Sequence, residues 1–319
     1  MKEGIPATIV TTVDFCFRPL SIFFRAYKFF KNCNNINIQV IVGHANRSKI
    51  CDFLFLMMCK KKFKNIHIVS FDFKNVKNNN SILRNISSKE VKTKFIIFSD
   101  IDLYFDSDII KYVIIDAERN KFSILPCLYL SKFGTKNFNK DKNRINIINK
   151  WLLWDIRNVL HLAIPSSFIC LEKEIFDKIH GFDEKYEGHG YEDFDFMVRL
   201  LNYYNCIKFN NKSIIDKTYI APLFAEGFRA DLAAFCIKNI IKKKIVLHLY
   251  HKKNKKTYKS DRDKNRIIFL NKISSMITCE KVENVPVPIL ISLFYRLCDY
   301  YNVDSSSYGV LFFNKPKNL

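Results

Sequence analysis

In KFIIFSDIDLYF (residues 94–105), four apolar residues, Phe95 to Phe98, run straight into Ser99-Asp100-Ile101-Asp102. A short uninterrupted apolar run suits a strand covered on both faces, as in a parallel sheet. Side chains alternate along a strand, so Asp100 and Asp102 are expected to point the same way, with Ile101 opposite. Carboxylates at the carboxyl end of a parallel strand lie where open α/β sheets bind ligands. Oxygen donors suit Mn2+ or Mg2+, which can bridge to the phosphates of a nucleotide. The same acids equally suit a strand end that caps the next helix.

Upstream, ATIVTTV (7–13), INIQVIVG (36–43) and NIHIVSFDF (65–73) read as three further strands. Helical patterns separate them, from Pro19 onward and through ICDFLFLMMCKKKF (50–63). Strands alternating with helices at this spacing predict an α/β domain with a largely parallel sheet. Downstream, SKFGTKNFNKDKNRINIINK (131–150) is polar and basic and reads as a surface loop or flap. FICLEKEIFDKI (168–179) reads as a strand entering a helix, EDFDFMVRLLNYY (192–204) as an amphipathic helix, and IVLHLYH (245–251) as a late strand. KKNKKTYKSDRDKNR (252–266) has the composition of an exposed linker.

The chain has 319 residues, 48% of them hydrophobic, enough for a substantial core and too many for disorder. With 52 Lys+Arg against 31 Asp+Glu, the net charge is +21. That excess suits solvated surface, an anionic substrate, an acidic membrane face or nucleic acid. The ten cysteines form no C-x-x-C pair and sit in apolar stretches, which predicts reduced, mostly buried thiols. No apolar signal-peptide core follows Met1 and no run is long enough to span a bilayer, so the expected location is the cytoplasm.

Against this basic background, GFDEKYEGHGYEDFDFMVRL (181–200) is anomalous. Six acids fall between Asp183 and Asp195, and Gly181, Gly188 and Gly190 are three of only eight glycines. Glu192 and Asp193 open the expected helix, where free N–H groups and the helix dipole favour a carboxylate. Asp195 and Arg199, four residues apart, suit a structural ion pair, and Asp183 and Glu184 suit a turn. Glycines at 188 and 190 permit unusual backbone conformations and the close approach of a sugar.

Two stretches carry a resemblance. Arg84-Asn85 ahead of Asp100-Ile101-Asp102 resembles the glycosyltransferase family 2 pattern in which an Arg-Asn pair opens a helix leading to a D-x-D strand. Residues 181–200 resemble the GGFDE…GWGxEDxD…RL sequence of the galactosyltransferase C-terminal region and of bacterial capsule-biosynthesis glycosyltransferases. The resemblance covers roughly residues 80–251 well and the first 75 poorly.

It implies a GT-A, Rossmann-like α/β fold spanning 1–251, with a nucleotide-sugar half (1–130) and an acceptor half (131–251), then a basic linker and helical extension (252–319). The implied activity is a metal-dependent inverting hexosyl- or N-acetylhexosaminyltransferase. It would move sugar from a UDP-linked donor to a glycan or lipid-linked glycan of capsule or lipooligosaccharide. Asp193 is then the base and Glu192 an acceptor-holding acid. Asp100 and Asp102 bind metal and donor, with His248 of the late strand as a third ligand. Arg84, Thr11 and Arg18 are the donor-side candidates, without the common Asp-Asp-Gly-Ser. His189, Gly190 and Tyr191 are the acceptor-side candidates. His189 departs from the usual Trp, and stacks on a sugar or simply caps the loop. Residues 252–266 and Pro286–Tyr301 suit either docking on the cytoplasmic face of the inner membrane or plain surface charge with a core helix. A polyanion- or nucleic-acid-binding protein is the rival from another class, but no nucleic-acid motif is present and the acidic cluster would go unexplained. A capsule sugar-phosphate transferase is the second rival.

Overall fold

The computed structural model describes residues 5–74, 77–217, 221–252, 258–277 and 289–313. In chain order the first part contains β1 (Ala7–Asp14), α1 (Pro19–Asn35), β2 (Gln39–Asn46), α2 (Ile50–Lys62), β3 (Ile66–Asp72), α3 (Asn80–Ser88) and β4 (Phe95–Phe98). Then follow β5 (Leu103–Tyr104), α4 (Ser107–Asn120), β6 (Phe122–Ile124), β7 (Cys127–Leu130), α5 (Lys132–Asp141) and α6 (Arg144–Leu152). The remainder comprises β8 (Val159–Ala163), β9 (Ile169–Glu172), α7 (Lys173–Lys178), α8 (Glu192–Tyr203), α9 (Phe228–Ile241), β10 (Val246–His248), α10 (Tyr258–Ser275) and α11 (Ile289–Tyr300).

The chain gathers into two compact units that alternate in sequence. The first comprises Met1–Ser123, Ser167–Arg199 and Lys252–Ile267; the second comprises Ile124–Ser166, Leu200–His251 and Ile268–Leu319. The central sheet has the order β3-β2-β1-β4-β9-β6. β1 pairs in parallel with both β2 and β4, β2 with β3, and β9 runs antiparallel to β4. This is the α/β GT-A architecture, with a mostly parallel central sheet. β-branched residues fill its strands, and Ile9, Val10, Val40, Val42, Ile96 and Ile97 are fully buried. In the second unit, β7 lies between β10, parallel to it, and β8, antiparallel.

Three expectations need correction. Strand β4 stops at Phe98, and Ser99 to Asp102 form a turn in which the Leu103 N–H donates to the Asp100 carbonyl at 3.1 Å. Alternation along a strand therefore does not orient Asp100 and Asp102. Residues 131–150 are not a loop, because α5 and α6 occupy most of them. Ser131 and Asn143 cap the two helices through the Gly134 and Asn146 N–H groups, and Phe138, Ile147, Ile148 and Trp151 form their buried faces. Nor is 252–266 wholly a linker. Its last nine residues belong to α10; residues 253–257 lie outside the described residues, as do 278–288 of the C-terminal segment. Among the described residues, no helix is long and apolar enough to cross a membrane.

A cluster of phenylalanines supports the acidic stretch from below. Phe98 of β4 meets Phe176 of α7 at 5.1 Å between ring centroids and Phe182 at 4.9 Å, while Phe182 stacks on Phe196 of α8 at 4.3 Å. Phe196 is fully buried. Phe196→Ala is expected to destabilise the protein by about 3–5 kcal/mol in denaturant unfolding, the usual cost of an aromatic-sized core deletion.

Candidate active site

The site in the first unit is organised by Arg84. The residue lies in the middle of α3, which opens at the Asn79 cap, so the Arg84-Asn85 pair does not open the helix as the resemblance implied. Its side chain is buried, with 2% of the residue exposed, and the guanidinium stands 4.8 Å above the Phe182 ring. One nitrogen donates to Asp193 Oδ1 at 2.7 Å, and another to Asp100 Oδ1 at 3.0 Å. The Ser167 hydroxyl donates to the other Asp100 oxygen at 2.9 Å. A cation this buried needs anionic partners. It finds one after β4 and one in the first turn of α8. Asn85, the next residue, bonds the Phe182 backbone through both N–H and C=O and donates to the Glu184 carboxylate.

Burial pushes the Asp193 carboxyl up to about 7, opposed by Arg84 and reinforced by Glu192 and Asp100. Burial likewise raises Glu192, with Arg84 again opposing. About a quarter of the Asp193 side-chain surface stays open, and 43% of that of Asp100. Asp193 is thus a carboxyl able to exchange a proton near neutrality at the start of a helix.

The other acids of the stretch hold it in shape. Arg199 donates to Asp195 at 2.8 Å and to the Ile179 and Gly181 carbonyls at 2.7 Å, and the Tyr186 hydroxyl donates to Asp195 at 3.2 Å. Asp195 is buried, so breaking this pair costs more than breaking the exposed i,i+4 pair its spacing suggests. Asp183 accepts from the Lys185 N–H, closing the turn.

The first half of α10 covers the loop that precedes α8. Asn265 donates to the Glu187 carbonyl at 2.9 Å and the Gly190 carbonyl at 3.0 Å, and Arg262 lies 5.7 Å from the Tyr191 ring centre. A Cβ at Gly188, where φ is +76°, would fall 2.2 Å from the Asp261 carboxylate. One at Gly190 would meet Arg262 at 3.4 Å. The close approach allowed by these glycines is therefore to the protein's own helix. Of the acceptor-side candidates, Gly190 is covered in this way, Tyr191 is 4% exposed with φ +73°, and His189 is exposed.

The donor-side candidates fare unequally. Thr11 is fully buried within β1. Arg18 is the left-handed N-cap residue of α1 and is half-buried. Asp102 is gripped by Arg25 of α1 at 2.5 Å. Arg25 was not found from sequence, because nothing in a helix 77 residues upstream announces the partner. The buried pair of Asp14 and Arg47, at 2.7 Å, was also missed; its signal is opposite charges at the carboxyl ends of adjacent strands. In the second unit, His248 stacks on Tyr129 at 4.0 Å, with His251 at 5.2 Å.

Residues 55–274, more than half of the chain, match the family described as glycosyltransferase like family 2. The chain belongs to that family, and it is a glycosyltransferase. No curated protein matches the sequence significantly. Among solved structures it is similar to the mannosyltransferase PcManGT from Pyrobaculum calidifontis in complex with GDP-Man and Mn2+. That similarity has a TM-score of 0.45 and 8% identity, covering 97% of this chain and 74% of that one. It is also similar to S. aureus TarS 1–349 in complex with UDP-GlcNAc, with a TM-score of 0.42 and 10% identity, covering 92% of this chain and 73% of that one.

Arg84→Met is expected to cost about 3–5 kcal/mol at pH 9 by leaving carboxylates unpaired. Arg84 opposes the rise of the Asp193 pKa, so the variant's Asp193 takes up its proton at higher pH, and this loss is expected to shrink as pH falls from 9 toward about 7 and to change little below. Urea unfolding of both proteins at pH 9 and pH 5.5 measures the difference.

Proposed function

We propose that this glycosyltransferase is metal-dependent and inverting. It moves a sugar from a UDP-linked donor to a glycan or lipid-linked glycan that grows into a surface polysaccharide, capsule or lipooligosaccharide. One observation carries the reading: a single buried guanidinium, Arg84, holds both Asp100, the candidate donor-side acid, and Asp193, the candidate base.

An inverting transfer needs a base for the acceptor hydroxyl proton as that oxygen attacks the anomeric carbon. Asp193, with its carboxyl at about 7 and part of its surface open, suits that task near neutral pH. Glu192 beside it is the candidate for holding the acceptor sugar, and the exposed His189 is its candidate neighbour on the acceptor side. Arg84 keeps the base oriented and, as a fixed cation, favours its ionised form.

Asp100 and Asp102 stand two residues apart in a turn and offer hard oxygen donors, and the Asp100 side chain is accessible. A donor set of this chemistry fits Mn2+ or Mg2+. Such an ion, when bound, supplies positive charge to the departing diphosphate. His248 remains a candidate metal ligand on the strength of the family resemblance. Arg25 pairs with Asp102 and Arg84 with Asp100, so each candidate ligand is held in place by a guanidinium.

The decisive test is UDP protection against thermal unfolding, with and without Mn2+, alongside turnover on a panel of nucleotide sugars. Asp102→Ala is expected to abolish the Mn2+-dependent rise in Tm; retained protection removes Asp102 from the metal site. Asp193→Asn is expected to keep the protection but lose transfer by a factor of about 10² to 10⁴. Near-normal turnover in that variant rules out Asp193 as the base. In the wild-type protein, transfer is expected to rise with pH and level off above about 7, because the base works ionised. Release of UMP in place of UDP would indicate sugar-phosphate transfer instead.

A further inference from the structure

Helices α1 and α2 carry an apolar surface that the sugar-transfer chemistry does not use. Strands β1, β2 and β3 are parallel and adjacent in that order, so right-handed crossovers put both helices on one face of the sheet. Each helix runs back against the strands, so its N-terminal turns lie toward the sheet's carboxyl edge, where Asp14 and the Ser99–Asp102 turn stand. The helices pack side by side through Phe30 on Phe55 at 5.9 Å and Tyr27 on Phe63 at 5.8 Å. Their inner faces are Ala26, Phe29, Phe30 and Cys33 on α1, and Asp52, Phe55 and Cys59 on α2.

The outer faces are not polar. Leu20 is 68% exposed and Phe24 61%, while on α2 Ile50 is 80%, Phe53 62%, Leu54 49% and Met57 38% exposed. These residues recur at helical spacing on the side away from the sheet. Further along the same faces stand Lys28 and Lys31 on α1 and Lys60 and Lys61 on α2, all exposed. Neither helix offers an exposed acid to balance them. Helix α1 contains none, and the single acid of α2, Asp52, is 3% exposed and bonded to His44 and to the Arg47 and Lys49 N–H groups.

We propose that this face docks the protein on an anionic bilayer. The apolar N-terminal turns would enter the boundary between headgroups and acyl chains, while the lysines, with flexible stems, meet lipid phosphates. Charge decides between the candidate occupants. A second copy paired through the same face would have to meet or bury the same lysine rows with no exposed acid of either helix to oppose them, whereas an anionic lipid surface complements both the apolar and the basic part of each helix. This surface differs from residues 252–266 and 286–301, to which the sequence pointed for membrane contact. It does not depend on the reaction proposed above, because lipid binding is read directly.

The test is co-sedimentation of the full chain with phosphatidylcholine vesicles, prepared with and without phosphatidylglycerol. The expected result is pelleting with the phosphatidylglycerol vesicles, weakened by added salt. The triple substitution Phe24→Ser, Phe53→Ser, Leu54→Ser is expected to lower partitioning by about tenfold or more. The pair Lys28→Glu, Lys60→Glu is expected to lose the preference for phosphatidylglycerol. All these positions are exposed, so far-UV circular dichroism and Tm should match the wild type, whatever the outcome with UDP. Wild-type protein that stays in the supernatant with both vesicles overturns the proposal, as does a triple variant that pellets like wild type. So does a wild-type dimer without lipid binding that the triple substitution converts to monomer, which assigns the face to a second copy.

Discussion

The buried guanidinium of Arg84 is the constraint around which the first unit is arranged. A cation cannot be taken out of water without anions to meet it, and this one is met from two separate segments. Asp100 arrives from the turn after β4, Asp193 from the first turn of α8, and the Phe182 ring lies against the guanidinium plane. Each contact fixes an element: α3 carries the cation, β4 delivers one acid, and α8 must begin where it does for Asp193 to reach. The phenylalanine cluster below supplies non-directional cohesion, while Arg84 supplies the register. This division is common, since apolar packing tolerates slippage more readily than a bidentate network of charges.

The same constraint accounts for acids gathered in a basic chain. Asp195 neutralises Arg199, whose other nitrogens satisfy the carbonyls of Ile179 and Gly181 and so hold the start of the acidic stretch. Asp183 and Glu184 serve the turn and Asn85. That leaves Glu192 and Asp193: burial raises both pKa values, the charge of Asp100 adds to each, and Glu192 adds to Asp193. A buried acid beside a partly buried one is tolerable because Arg84 opposes the rise of both. The compromise keeps Asp193 between its two protonation states, as a proton acceptor near neutrality requires.

Much of this was legible in the sequence, though unevenly. The parallel strands were legible because buried β-branched runs such as Ile9–Val10 and Val40–Val42 have few other uses. The helix at Glu192 was legible from its acids and the 196/200 apolar spacing. Residues 131–150 were misread because composition outweighed caps: Ser131 and Asn143 are strong N-cap residues, and Phe138, Ile147 and Trp151 carry the buried face through a Lys- and Asn-rich stretch. The same weighting hid α10, where Asn265, Phe269 and Ile273 recur at four-residue spacing beneath a run of charges. Long-range pairs were the least legible. Arg25 with Asp102 and Arg47 with Asp14 depend on which strands become neighbours, and spacing along the chain does not contain that.

The role of α10 follows from how the loop before α8 is built. Tyr191 holds a left-handed φ of +73°, an uncommon conformation for a bulky side chain and one that costs energy unless its surroundings impose it. Asn265 donates to the Glu187 and Gly190 carbonyls, and Asp261 fills the space that a Cβ at Gly188 would take. The loop that delivers Glu192 and Asp193 is therefore set from both sides: by Arg84 through the carboxylate it grips, and by α10 through the backbone it covers. The glycines belong to this second contact. They are the positions where a helix, arriving from some seventy residues downstream, comes closest to the chain that carries the candidate base.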